Sequence, residues 1–250
     1  MSSQGSLLKY IYVVLGLYVA DGIISLSFLS SMVAWLQKSG GAGPFTISYP
    51  EGSTFLMSGE PEKLLTNHGH VTNGAGGTAV VLVGFGGLIA LLLENKSRNK
   101  YGKSSGAFTA WTVMVILSTL LTLTALIYTF VLQSKTGKQV IDLAEALRTA
   151  FPAKYDVDSW TPENWYKEVL NLPLTNAWER RWISYNLRIM RGWKYNLIAL
   201  FVVGFILSTL VIVEQLRIRK SRIQYSRAAS GNVYDEQKYG GSTAYGGANA

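Results

Sequence analysis

The chain has no cysteine and only two histidines among 250 residues. The first absence excludes disulfide staples in any loop, and excludes thiolates as nucleophiles or metal ligands. The second leaves one imidazole pair, His68 and His70, where a structural zinc site asks for about four ligands. Charge is scarce too. Charged residues make up 15% of the sequence, against about a quarter in ordinary soluble domains. The few charges avoid four long stretches that pool the apolar residues, 48% of the chain. Such pooling points to lipid as the solvent.

The stretches run from Tyr10 to Leu36, Gly74 to Leu93, Ala107 to Gln133 and Tyr195 to Leu216. Each holds roughly the 20 mostly apolar residues that a helix needs to cross a ~30 Å hydrocarbon core. Only helices or closed barrels satisfy their backbone groups in lipid, and these runs are continuous rather than alternating. The expected fold is an all-α membrane protein, a four-transmembrane-helix bundle. The first stretch lies near the N-terminus behind Lys9, as a signal peptide would. It is long and lacks a small-residue cleavage pattern, so an uncleaved first span is expected.

A formal net charge of +8 is compatible with nucleic acid binding, but the basic runs abut the apolar stretches. There, Lys and Arg report orientation and attract anionic headgroups. The connector 94–106 carries Lys96, Arg98, Lys100 and Lys103 against Glu94, and the tail 217–250 opens with Arg217, Arg219, Lys220 and Arg222. The first outer loop, 37–73, carries Lys38 and Lys63 against Glu51, Glu60 and Glu62. Residues 1–9 and the tail are therefore expected in the cytoplasm, with anionic membrane lipid as a partner and no nucleic acid. The host is a plasma membrane or an endomembrane. Arg180, Arg181, Arg188, Arg191 and Lys194, just before the fourth stretch, oppose this orientation.

In the first outer loop, Phe45–Tyr49 and Ser53–Met57 flank Pro50-Glu51-Gly52, which predicts a small β-hairpin. The second, 134–194, reads as helical. Val140, Leu143, Ala146 and Leu147 recur at helical spacing and extend the third span outward until Pro152. Thr161-Pro162-Glu163 marks a helix start, with Trp165, Val169 and Leu170 on its apolar side. Trp178, Trp182, Tyr185 and Ile189 share one face that leads through Trp193 into the fourth span. Aromatics at a span mouth sit at headgroup level. Trp178, Trp182, Tyr185 and Trp193, with Arg217, Arg219, Lys220 and Arg222, are thus the candidates for lipid or partner contact. From Ser221 the chain is rich in Gly, Ser, Ala and Tyr and is expected to be disordered. Arg227-Ala-Ala-Ser230 has the spacing of a basophilic kinase site, which makes Ser230 a candidate phosphoacceptor.

Asp21 lies near the middle of the first stretch, where an ionised side chain costs ~2.5–3.5 kcal/mol on insertion scales. It reads as a proton or cation ligand, or as a packing contact to hydroxyls such as Ser118, Thr119, Thr122, Thr124, Ser208 and Thr209. Gly22 beside it permits close approach. Gly16 with Ala20, and Gly86 with Ala90, are small residues four apart, a spacing common where helices pack. Val80–Leu88 mimics a dinucleotide-binding strand and turn, but Ile89 stands at the third glycine position and no ribose-binding acid follows. His68 and His70, with Glu60 and Glu62 upstream, offer at best a weak surface metal site. Asn95-Lys-Ser97 fits the glycosylation sequon on the expected cytoplasmic side.

Four spans with a smaller first outer loop and a larger helical second one resemble the layout of tetraspanins. The Cys-Cys-Gly of their large loop is absent, so the likeness is of topology and carries over no functional residue. With no nucleophile matched to a base and no acid cluster, the expectation is a non-catalytic membrane organiser or adaptor without cofactor. It would meet membrane or cytoplasmic proteins, or its own copies, through the outer helical loop and the tail. The alternative is a small transporter or channel subunit that uses Asp21.

Overall fold

A computed structural model describes residues 4–40, 43–101 and 104–240. It contains four helical runs long and apolar enough to cross a membrane: Leu7–Lys38, Asn67–Lys100, Gly106–Thr136 and Ala177–Lys220. The first is α1 (Gln4–Trp35), closed by a π-helical turn, Leu36–Gly40. The second is α2 (Asn67–Thr78), a π-helical stretch Ala79–Phe85 and α3 (Gly86–Tyr101) in unbroken succession. The third is α4 (Gly106–Thr136), and the fourth belongs to α7 (Ala177–Gly240). By length and composition, four such helices suggest a multi-pass membrane protein.

These helices bury one face against each other. Ile11, Leu15 and Tyr18 of α1 meet Val83 and Leu91, Phe108 and Val115 of α4, and Leu200, Leu207 and Val211 of α7. The opposite faces are just as apolar and stay exposed, as at Leu17, Ile23, Leu92, Leu117 and Phe205. A helix apolar all round belongs in lipid or in the core of a large protein. Nothing among the described residues covers these outer faces.

The tight helix contacts fall on glycines that the spacing did not single out. A Cβ at Gly87 would stand 2.7 Å from the indole Nε1 of Trp111, which donates to Val83 O at 3.0 Å. A Cβ at Gly22 would stand 3.0 Å from Val80 Cγ2, the close approach expected there. By contrast Gly16 and Ala20 are exposed, and nothing lies within 4 Å of a Cβ at Gly16 or Gly86. Of the four residues paired by that spacing, only Ala90 is buried. Small-residue spacing marks a smooth helix face but not which way that face turns. Gly87→Leu should therefore destabilise the detergent-solubilised protein by about 1–3 kcal/mol through overpacking. Gly16→Leu should leave its unfolding temperature unchanged, and thermal unfolding followed by circular dichroism separates the two.

At one end of the helices the two long loops fold together. β1 (Phe45–Ser48) and β2 (Thr54–Met57) form the expected antiparallel hairpin, Phe45 opposite Met57 and Ser48 opposite Thr54. A 3₁₀ turn, Pro50–Gly52, joins them, and Gly52 supplies the left-handed residue at φ 81°. Bridges Ile47↔Leu174 and Met57↔Ala150 dock the hairpin on the second loop. That loop holds α5 (Leu143–Arg148) and α6 (Pro162–Val169).

The second loop departs from expectation in one respect. The third span does not continue through Val140: α4 ends at Thr136, with Gly137 behind it. A new helix then starts where Asp142 Oδ1 accepts the Ala144 N–H at 3.0 Å. It ends at Arg148, ahead of Pro152. The 3.6-residue pattern was real, but Asp142 inside it acts as a cap and not as a helical residue. The α6 start is as expected, with Thr161 Oγ1 accepting from Asn164 N and Pro162 in the first turn.

The expectation of disorder from Ser221 is corrected as far as Gly240, because α7 remains helical to that residue. No proline follows Pro173, and the first part of this segment holds Arg222, Gln224, Arg227, Ala228 and Ala229; all are good helix formers. Residues 241–250 of the tail, and residues 1–3, lie outside the described residues.

Candidate functional site

Asp21 is half-buried on α1. The hydroxyls offered as its partners are otherwise engaged. Ser118 Oγ lies 3.1 Å from Tyr18 Oη, and Thr119 Oγ1 lies 2.7 Å from Ser208 Oγ. Thr122, Thr124 and Thr209 each donate to the carbonyl four residues back. The side chain that reaches Asp21 comes from α7: Asn196 Nδ2 donates to the Asp21 carbonyl oxygen at 3.4 Å. Asp21 Oδ2 is buried without a partner among the described residues.

At the end of the long helices away from the loops, charge is organised around Arg98. Its Nε donates to Glu94 Oε1 and its Nη1 to Glu214 Oε1, both at 2.7 Å. Glu94 is 0% and Glu214 3% exposed. Glu94 Oε2 also accepts from Ser104 Oγ at 3.0 Å and Ser105 N at 2.7 Å. Ser105 in turn caps α4. The acid read as a minor offset to a basic connector thus ties the connector to the start of α4. Through Arg98 it also ties it to α7. Sequence reasoning missed this site because Glu214 is remote in the chain.

At the other end the cap has its own aromatic core. Trp160, Trp165 and Tyr166 of the second loop pack with Trp35, Phe45 and Trp193. Trp165 Nε1 donates to Gly59 O at 2.8 Å. The Tyr166 hydroxyl is buried without a partner among the described residues. Burial, reinforced by the charge of Glu60, pushes its pKa far above the usual tyrosine value, so it stays neutral.

Polar contacts fix the cap to the long helices. Asn164 Nδ2 donates to Gln133 O at 2.9 Å and Thr136 Oγ1 at 2.6 Å. Lys194 Nζ donates to Glu163 Oε1 at 2.7 Å, and Arg191 stands 3.6 Å from the same oxygen. Arg180 donates to the carbonyls of Leu170 and Leu172. Three of the five basic residues that opposed the expected orientation are thus used inside the cap.

The aromatic row divides. Trp178, Trp182 and Tyr185 are exposed by 58%, 39% and 53%. Their rings stack along α7, with centroids 5.6 Å and 6.1 Å apart. Trp193 does not join them. It is 1% exposed and packs in the cap core, so it does not share the open surface of that row. Two turns beyond Tyr185 the same helix has entered the cap core, and its aromatic face now meets protein. Arg217, Arg219 and Lys220 lie on exposed positions of α7 past Glu214; the side chains of Arg222 and Ser230 lie outside the described residues. The two histidines do not converge. His68 is buried with its ring 5.5 Å from Trp193, and His70 is exposed. Val80–Leu88 is helical throughout, which removes the dinucleotide-turn geometry.

Comparison of the chain with protein-family models, curated proteins and solved structures finds no match. Function is argued from these sites alone.

Proposed function

We propose that the chain is a four-span membrane protein that presents a rigid outer cap and acts as a non-catalytic organiser or adaptor. In this reading the four long helices form a transmembrane bundle with both termini in the cytoplasm. The Arg98–Glu214 contact supports it, since it brings the basic connector and the start of the basic tail to one end. The hairpin and cap gather at the other end.

The observation that carries the functional reading is the stacked row Trp178, Trp182 and Tyr185, exposed on a cap whose other tryptophans are buried. Rigid aromatics in the open are typical anchors for protein partners and headgroups. Replacing all three with alanine should leave folding intact, because none is buried. The same variant should remove discrete neighbours captured by chemical crosslinking in native membranes. Unchanged crosslinks in a folded variant would remove the support for this reading. The tail, with Arg217, Arg219 and Lys220 leading, would meet anionic lipid or cytoplasmic proteins on the opposite side.

A second reading, transport through Asp21, is favoured by one observation: its Oδ2 is buried with no partner among the described residues. Asn keeps a polar side chain of the same size and loses the ionisable group. Under the organiser reading, Asp21→Asn should fold normally and leave proton and cation flux in proteoliposomes at the wild-type level. A folded Asp21→Asn protein with abolished flux would instead establish transport.

A further inference from the structure

Where the cap meets the long helices there is a cavity of about 490 Å³, within the roughly 300–1,000 Å³ of small-molecule sites. Its walls are the end of α1 and the π-helical turn behind it, from Leu29 to Lys38, the start of α2 around His68 and His70, Pro162 of α6 and Trp193 of α7. The walls are asymmetric. Trp193 and His68 are buried, at 1% and 2% exposure, whereas Val33, Ala34, Lys38, His70 and Asn73 are exposed. The exposed members of α1 continue the apolar outer face that runs down that helix through Ile24 and Ile23.

Two nitrogens on buried walls of this cavity, Trp193 Nε1 and His68 Nδ1, have no hydrogen-bond partner among the described residues. Native proteins pair nearly all such groups. Lys38 adds a cation, and no carboxylate stands among the described residues lining the cavity. An indole N–H only donates and an ammonium only donates, so the complementary ligand presents acceptor oxygens. The adjoining apolar face asks for a hydrocarbon chain beside those oxygens.

We propose that this cavity is a binding site for one membrane phospholipid. Its phosphate and ester oxygens lie against Lys38, His68 and Trp193, and an acyl chain runs along the exposed face of α1. The proposal rests on the reading that the long helices cross the membrane, and it goes beyond it by naming one specific lipid position. It differs from general annular contact in that the oxygens enter a walled site behind the helix surface.

The test uses the full chain in phosphatidylcholine vesicles containing a phosphatidylglycerol probe with a photoactivatable group near the ester. Crosslinked peptides are mapped by mass spectrometry. The expected result is preferential labelling of the 29–38 and 66–73 segments. Ala34→Trp, which fills the mouth from an exposed position, should lower labelling there about tenfold, equivalent to about 1.4 kcal/mol. His68→Phe keeps a ring against Trp193 but removes the nitrogens, and should also lower it. Labelling of the outer faces of α4 and α7 should not change in either variant.

Even labelling of all outer faces, or site labelling indifferent to both variants, would overturn the proposal. So would displacement by a sterol but not by unlabelled phosphatidylglycerol. Absence of labelling on every long helix would instead overturn the membrane reading beneath it.

Discussion

Arg98→Ala should cost about 3–5 kcal/mol of stability, the range found when one partner of a buried ion pair is removed. The magnitude follows from what is left behind. Glu94 and Glu214, 0% and 3% exposed, would lose the guanidinium that both contact at 2.7 Å. Glu94 would retain its bonds from Ser104 and Ser105, but Glu214 would keep none of those described. Arg98→Lys should fall between wild type and alanine, since one ammonium cannot reproduce the fork that serves two carboxylates. Glu214→Gln should cost less than Arg98→Ala, because it removes a charge and leaves the Arg98–Glu94 pair in place. Chemical unfolding in mild detergent measures all three. A loss below ~1 kcal/mol for Arg98→Ala would mean that the cluster behaves as a screened surface pair.

Trp165→Ala should be comparably severe, about 3–5 kcal/mol, but confined to the cap. The side chain is 0% exposed. Its ring lies 5.4 Å from that of Trp160 and 5.6 Å from that of Tyr155. Removal opens a cavity and also strips Gly59 O of its indole donor. Trp165→Phe keeps most of the ring contact and should cost much less, with about 1 kcal/mol of the loss from the hydrogen bond. The cap core takes in the ends of α1 and α7 but is a buried cluster distinct from the one farther along the long helices. Trp165→Ala should therefore lose near-ultraviolet circular dichroism and gain protease cutting between α5 and α6, while the helical far-ultraviolet signal largely persists. Loss of all helical signal in the same step would show that the two clusters fold as one unit.

Much of this architecture was legible because solvent choice leaves a coarse mark. Long apolar runs with hardly any charge announce the four long helices, and Pro50–Gly52 and Thr161-Pro162 announce the hairpin and α6 by local turn and cap chemistry. What was not legible depends on facing and on distance along the chain. Gly16 with Ala20 and Gly87 look alike in sequence, yet only Gly87 sits under a neighbour's indole. Trp193 continues the spacing of Trp178 and Trp182 but enters the packed core. Glu94, Arg98 and Glu214 form one cluster across more than a hundred residues, and no local pattern links them. The signal available was weak: an acid at each of two span ends, with an arginine one turn from the first. The phospholipid site was hidden for the same reason, since its walls come from four separate segments.

The central claim is that both long loops lie on one face of a membrane and the 94–106 connector on the other. The absence of cysteine makes single-cysteine labelling direct. Lys63→Cys and Lys138→Cys place thiols on exposed loop positions, and Asn99→Cys places one on the exposed connector. In sealed vesicles of known orientation, an impermeant maleimide should reach positions 63 and 138 only from the non-cytoplasmic face, and position 99 only from the cytoplasmic face. Labelling of all three from a single face, with the vesicles intact, would contradict the account.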